Sequence, residues 1–224
     1  MLTRLREGIW WLDLGGVNAY LVDDGGTVTL IDAGPPWRAG TILDGLVDAG
    51  FALTDLDRVL VTHYDADHVA GLSRLAGLDV EVYAGRGDAG LVAGTDTPDL
   101  GSWKGFTQAI ASPFVRDSPT TVRPLDDGDT VGSFTVYETP GHTPGHVAYV
   151  SEALDAAFVG DLVRESNGRL VPAPWVISDD MDRVRESIRS LSRDTPEFSV
   201  LGMGHGVPFE RGGKRRLDDL AGGV

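Results

Sequence analysis

Short apolar runs in this chain repeatedly end in a histidine or an aspartate set beside glycine or a helix start. His63 and His68 lie in Thr62-His63-Tyr64-Asp65-Ala66-Asp67-His68, directly after the buried-looking residues 58–61. His142 and His146 lie in Pro140-Gly141-His142-Thr143-Pro144-Gly145-His146, and His205 lies in Gly202-Met203-Gly204-His205-Gly206. Val159-Gly160-Asp161 closes a further apolar run with a carboxylate. These motifs hold all five histidines of the chain. Loops at strand ends are held by a rigid scaffold and can converge on one cleft, so the pattern points to a fold that gathers its polar chemistry along one edge.

The remaining pattern supplies the scaffold. Residues 9–14 and 19–22 read as strands turned at Gly15-Gly16, and 27–31 as a third strand ending in Asp32-Ala33-Gly34. After Pro35-Pro36, residues 37–49 read as a helix with Ile42, Leu43, Leu46 and Val47 on one face, stopped by Gly50. Residues 58–61 and 79–83 read as strands, and 69–75 as the start of a helix. Residues 85–120 are rich in Gly, Asp, Thr and Pro. Within them, 102–114 reads as an amphipathic helix carrying Trp103, Phe106, Ile110 and Phe114, either packed on the core or walling a pocket. The second half repeats the order, with a strand pair or one bent strand over 130–138, strands over 147–151, 156–159 and 199–201, and a helix over 181–191. Strands first and helix after, twice, predicts two β-then-α layers packed face to face with the helices outside.

Composition narrows the function classes. The 224 residues fit one domain, or two small fused halves, with no apolar run of spanning length. Residues 1–14 carry Arg4, Arg6, Glu7 and Asp13, unlike a signal peptide. The absence of cysteine removes disulfides, thiolate ligands and cysteine nucleophiles, and fits a cytoplasmic protein. A net charge of −15 disfavours a nucleic-acid partner, which needs a basic stripe; a small-molecule substrate is expected instead. Aspartate supplies 26 of the 34 acidic residues, and Lys104 and Lys214 are the only lysines. That balance resembles proteins of halophilic organisms, where molar salt shortens the Debye length to about 3 Å and like charges hardly repel.

Seven side chains stand out as candidate metal ligands: His63, Asp65, Asp67, His68, His142, Asp161 and His205. Imidazole and carboxylate are what a chain without thiols offers a borderline divalent ion. One ion takes about four to six donors, so seven suggest two ions sharing a carboxylate. His146 reads better as a residue that orients a ligand through a hydrogen bond.

In this order and spacing the motifs resemble the metallo-β-lactamase-fold hydrolase superfamily over nearly the whole chain, as a single-domain member of the glyoxalase II/lactonase kind. Gly16-Val17-Asn18-Ala19-Tyr20-Leu21-Val22 looks like the family's opening hairpin, and Leu30-Ile31-Asp32-Ala33-Gly34 like its next strand and loop. The intervals of 74 from His68 to His142, 19 to Asp161 and 44 to His205 are of the family's size. The resemblance implies an α+β fold, a four-layer αββα sandwich with metals at one edge, built from residues 1–224 as one domain. It also implies one ion on His63, residue 65 and His142, and a second on Asp67, His68 and His205, with Asp161 and a hydroxide between them. The family's usual residue at position 65 is histidine; Asp65 is a shorter, harder donor that brings iron or manganese closer to zinc in preference. The implied reaction is hydrolysis of an ester, thioester, lactone or amide carbonyl, with Asp67 orienting the nucleophile and shuttling a proton.

Several branches fit less well. The 19 residues after His205 leave no room for a glutathione-holding helical domain. Arg164 stands where some lactonases carry tyrosine, and nothing marks a nuclease insert or a flavodoxin-like domain. Two alternatives differ in class: a persulfide dioxygenase-like enzyme with one iron on His63, His142 and Asp161, and a metal-stabilised binding module without catalysis.

Overall fold

A computed structural model describes residues 1–75, 77–99, 101, 104, 105, 108, 109 and 121–224. The amphipathic helix expected over 102–114 lies mostly outside the described residues, Trp103, Phe106, Ile110 and Phe114 included; positions 104, 105, 108 and 109 are helical.

The first sheet has seven strands in chain order: β1 (Leu2–Arg6), β2 (Ile9–Asp13), β3 (Asn18–Asp24), β4 (Thr27–Ile31), β5 (Leu56–Val61), β6 (Glu81–Gly85) and β7 (Val122–Leu125). β1 to β4 pair antiparallel, and β4 to β7 pair parallel. The second sheet holds β8 (Thr130–Val131), β9 (Phe134–Glu138), β10 (Val147–Ser151), β11 (Ala156–Phe158) and β14 (Val200–Gly202), ordered β14-β11-β10-β9-β8. A separate hairpin joins β12 (Val163–Ser166) to β13 (Arg169–Pro172).

Alternation along the strands explains the layers. Successive side chains of a strand point to opposite faces. In β3, Tyr20 and Val22 enter a core shared with Tyr149, Phe134 and Phe158 of the second sheet, while Ala19 and Leu21 enter a different core with Ile42 and Leu46 of the helix Ala39–Asp48. In β10, Val147 and Tyr149 join the central core, while Ala148 and Val150 pack with Val184, Ile188 and Leu191 of the helix Met181–Asp194 and with Leu217 of the helix Gly213–Ala221. Central strands buried on both faces read as unbroken apolar runs, which is why they were legible. The result is the expected αββα sandwich. Leu46 is fully buried, and truncating it to alanine would cost about 3 kcal/mol.

Several local expectations need correction. The helix expected from residue 69 begins at Ala66, which places Asp67 and His68 on its first turn. The helix expected over 37–49 is a 3₁₀ turn, Pro36–Arg38, followed by the helix Ala39–Asp48. Of the two readings of residues 130–138, the strand pair holds, as β8 and β9. Elements that were not anticipated include β1, the helix Arg86–Val92, β7, the β12–β13 hairpin and the helix Gly213–Ala221.

Candidate metal centre

The sheet registers bring the motifs to one edge. Parallel pairing of β4 with β5, and of β11 with β14, aligns strand ends that run straight into Asp32, His63, Asp161 and His205. β10 runs antiparallel to β11, so the His142 loop before it arrives at the same edge. Two glycines make the approach possible. A Cβ at Gly204 would run into Asp161 Oδ1 and His68 Cε1, and Gly160, at φ 46°, sits against Thr62 and His146.

Four histidines share one orientation, with Nδ1 tied to the protein and Nε2 turned inward. His68 Nδ1 lies 2.9 Å from Asp32 Oδ2, and His63 Nδ1 lies 2.9 Å from Thr62 Oγ1. His205 Nδ1 lies 2.6 Å from the Gly16 carbonyl, and His142 Nδ1 lies 3.4 Å from Ser178 Oγ. Such bonds orient each ring so that Nε2, once deprotonated, can serve as a ligand toward the centre. His63 Nε2, His68 Nε2 and Asp161 Oδ1 are buried without a hydrogen-bond partner. Burying polar atoms unpaired is costly, and these three face one another. This donor set fits divalent metal.

The donors fall into overlapping groups whose ligand atoms lie within 4.8 Å of one another: His63–His142–Asp161, Asp67–His68–His205 and Asp32–His63–His68. Asp161 Oδ2 lies 3.1 Å from His205 Nε2 and 3.7 Å from His142 Nε2, while its Oδ1 lies 3.5 Å from His68 Nε2. Asp161 thus stands between the first two groups. Its backbone N–H donates to His146 Nε2 at 3.1 Å, and His146 Nδ1 is held by Thr139 Oγ1 at 2.8 Å.

Asp65 stands apart from the other six. It sits at the N-cap of the helix Ala66–Val69 but caps nothing there. Its carboxylate turns inward, 3.1 Å from His142 Nε2 and 3.5 Å from His63 Nε2, and pairs with the ammonium of Lys104. Gln108 Nε2 reaches its other oxygen at 3.2 Å.

Burial and neighbouring charges act against each other across the cluster. Burial would raise the carboxyl pKa of Asp161, but the imidazoles of His68, His205 and His142 outweigh it and hold it well below the usual range. Burial would lower His68, yet the carboxylates of Asp161 and Asp32 push it up to about 10. His142 drops to about 4, chiefly through burial.

Three supporting residues escaped sequence reasoning as parts of the site. Asp32, in left-handed backbone at φ 59°, accepts from Thr62 N and Thr62 Oγ1, both at 2.8 Å, as well as from His68. Asp88 clasps the two histidine loops, accepting from Tyr64 N at 2.7 Å, Thr143 Oγ1 at 2.6 Å and Gly145 N at 2.9 Å. Lys104 is the third. An aspartate closing an apolar strand signalled Asp32; nothing local marked the other two.

Two cavities open on the centre. One, of about 370 Å³, is lined by Asp161, His205, Arg164, Pro174 and Ile177. The other, of about 300 Å³, is lined by Asp65, Asp67, Lys104, Gln108 and Ile177. A larger groove along the helix Met181–Asp194 contains none of the donors.

Among known proteins, the profile of the Metallo-beta-lactamase superfamily matches residues 12–205. A hydroxyacylglutathione hydrolase of Methylobacterium nodulans is 35% identical over 182 residues, covering 75% of this chain and 54% of the relative. The metallo-beta-lactamase family protein TTHA1429 of Thermus thermophilus superposes with a TM-score of 0.75 at 24% identity, over 98% of this chain and 80% of that one. TTHA1623, solved in a di-iron-bound form, gives a TM-score of 0.65 at 29% identity, over 90% of this chain and 93% of that one. With its αββα layers, its edge-on cluster of histidines and aspartates, and a profile match over most of its length, the chain belongs to the metallo-beta-lactamase superfamily and is an enzyme of the metallo-hydrolase type.

Proposed function

We propose that this protein, one domain from residue 1 to 224, hydrolyses an ester, thioester, lactone or amide carbonyl of a small molecule at a centre for two divalent ions. Zinc is the first choice of metal, with iron or manganese as alternatives. The observation that carries the reading is the set of buried, unpartnered atoms His63 Nε2, His68 Nε2 and Asp161 Oδ1, each aimed into the same space. One ion is assigned to His63, His142 and Asp161, with Asp65 beside it. The other is assigned to Asp67, His68 and His205, with Asp161 reaching both. Ions bound there supply a water of lowered pKa as nucleophile and a Lewis acid for the carbonyl oxygen.

The protein's own groups do the rest. Asp67 is the candidate proton shuttle: its side chain is 47% exposed, and its Oδ2 lies 3.7 Å from His205 Nε2. Ile177 lines both cavities, and the neighbouring Trp175 is 75% exposed, so the mouth offers apolar surface to an acyl group. Arg164 lines the larger of the two and supplies positive charge for an anionic substrate. The hydrolase name of the M. nodulans relative favours hydrolysis; since the chain spans 54% of that protein, its substrate is not carried over.

A one-iron oxygenase reading draws on the same His63–His142–Asp161 group, and the Asp67–His68–His205 group weighs against it. Elemental analysis of protein purified without chelator, with an ester and thioester panel and an oxygen electrode, tests both. Near two ions per chain with hydrolysis supports the proposal, and one iron with oxygen uptake replaces it. Asp161→Ala should lose metal and most activity.

The reading extends to the cell. Both lysines are buried, so the cations on the described surface are arginines, against a net charge of −15. Adaptation to a salt-rich cytoplasm accounts for that balance. No helix among the described residues is long and apolar enough to cross a membrane.

A further inference from the structure

Lys104 puts a fixed cation inside a cluster built to receive cations. Its side chain is 4% exposed. Its ammonium pairs with Asp65 Oδ2, lies 3.0 Å from His142 Nε2 and donates to the Ile177 carbonyl at 2.8 Å. An ammonium only donates, so the carboxylate, the imidazole nitrogen and the carbonyl each serve it as acceptor. To accept from Lys104, His142 must keep its own proton on Nδ1, toward Ser178. That is also the tautomer a metal needs, so the ammonium and an ion compete for one lone pair. The Asp65 carboxylate is occupied too, one oxygen by Lys104 and the other by Gln108. The neighbouring group differs: no lysine or arginine contacts Asp67, His68 or His205 in any described ion pair. Arginine supplies 17 of the 19 basic residues, yet position 104 holds one of the two lysines, a compact point charge.

We propose that Lys104 sets the loading of the centre. It keeps Asp65 as its counter-ion rather than as a ligand, and it weakens the His63–His142–Asp161 subsite, so the two subsites fill unequally. The inference rests on the two-ion reading above.

Zinc binding to chelator-stripped protein, followed by calorimetry and checked by elemental analysis after gel filtration, tests it. The wild type should bind one zinc tightly and a second at least about tenfold more weakly, because a like charge in a poorly screened site opposes the second ion. Lys104→Met should tighten the weak step by about tenfold or more and leave the tight step in place. Lys104→Gln, which removes the charge but keeps donors, carries the same expectation should the Met variant fail to fold. Two equal steps in the wild type, or a second step that neither variant tightens, would overturn the role of Lys104 while leaving the two-ion centre standing. Failure of wild type and variants alike to bind zinc would overturn both.

Discussion

Asp32 Oδ2 and His68 Nδ1 lie 2.9 Å apart, and the contact joins the end of β4 to the first turn of the helix Ala66–Val69. The carboxylate orients the imidazole and makes it more basic, so His68 presents Nε2 to the centre. Asp32→Asn should keep the left-handed backbone, which asparagine tolerates, while removing the charge. Metal affinity should fall about 10- to 100-fold, the usual cost of losing such a partner. Competition against a colorimetric chelator measures it.

Asp88 ties the His63 loop to the His142 loop through three accepted hydrogen bonds. In Asp88→Asn one oxygen becomes an NH₂ facing donors, so at least one buried group loses its partner. A stability loss of about 2 kcal/mol in urea is expected at neutral pH. Unchanged stability with unchanged metal content would show that the clasp is dispensable.

Asp24 carries the clearest acid sensitivity away from the centre. Burial alone would raise its pKa, but hydrogen bonds from Ser133 and the Arg58 guanidinium hold it below the usual 3.8. The side chains of Asp24 and Arg58 are 9% and 10% exposed. Because the folded-state value is depressed, the stabilisation is fully present above the unfolded value and is lost as pH falls through the folded one. Asp24→Asn should cost about 3 kcal/mol at pH 7, from an Arg58 left buried and unpaired. The difference from wild type should shrink below pH 4, which paired acid melts would show.

Salt should stabilise this protein. With a net charge of −15, carboxylates repel one another at low ionic strength, and molar salt screens most of that term. Melting temperature should rise between low and roughly molar potassium chloride, with metal held saturating because bound ions also stabilise. An equal or lower Tm in high salt would make the acidity a solubility feature only.

The residues by themselves determined the sandwich and which side chains meet. Strands buried on both faces leave unbroken apolar runs, and the seven candidate donors stand in short motifs at the ends of those runs. Position 65 showed its departure from histidine in the same way. Elements with weak local signals needed tertiary context. The helix Arg86–Val92 carries two glycines that disfavour helix, and β1, Leu2-Thr3-Arg4-Leu5-Arg6, lacks a regular apolar alternation at its sheet edge. Only the tertiary structure decided how the donors are held. Asp32 reaches Thr62 and His68 across 30 and 36 residues because β4 and β5 pair in parallel, and Asp88 reaches Gly145 across 57. Lys104 meets Asp65 and His142 at separations of 39 and 38, in a stretch with no motif. Chemistry that resides in residue types is written locally; its supports and its competitors are fixed by strand register and packing, which no short window of sequence contains.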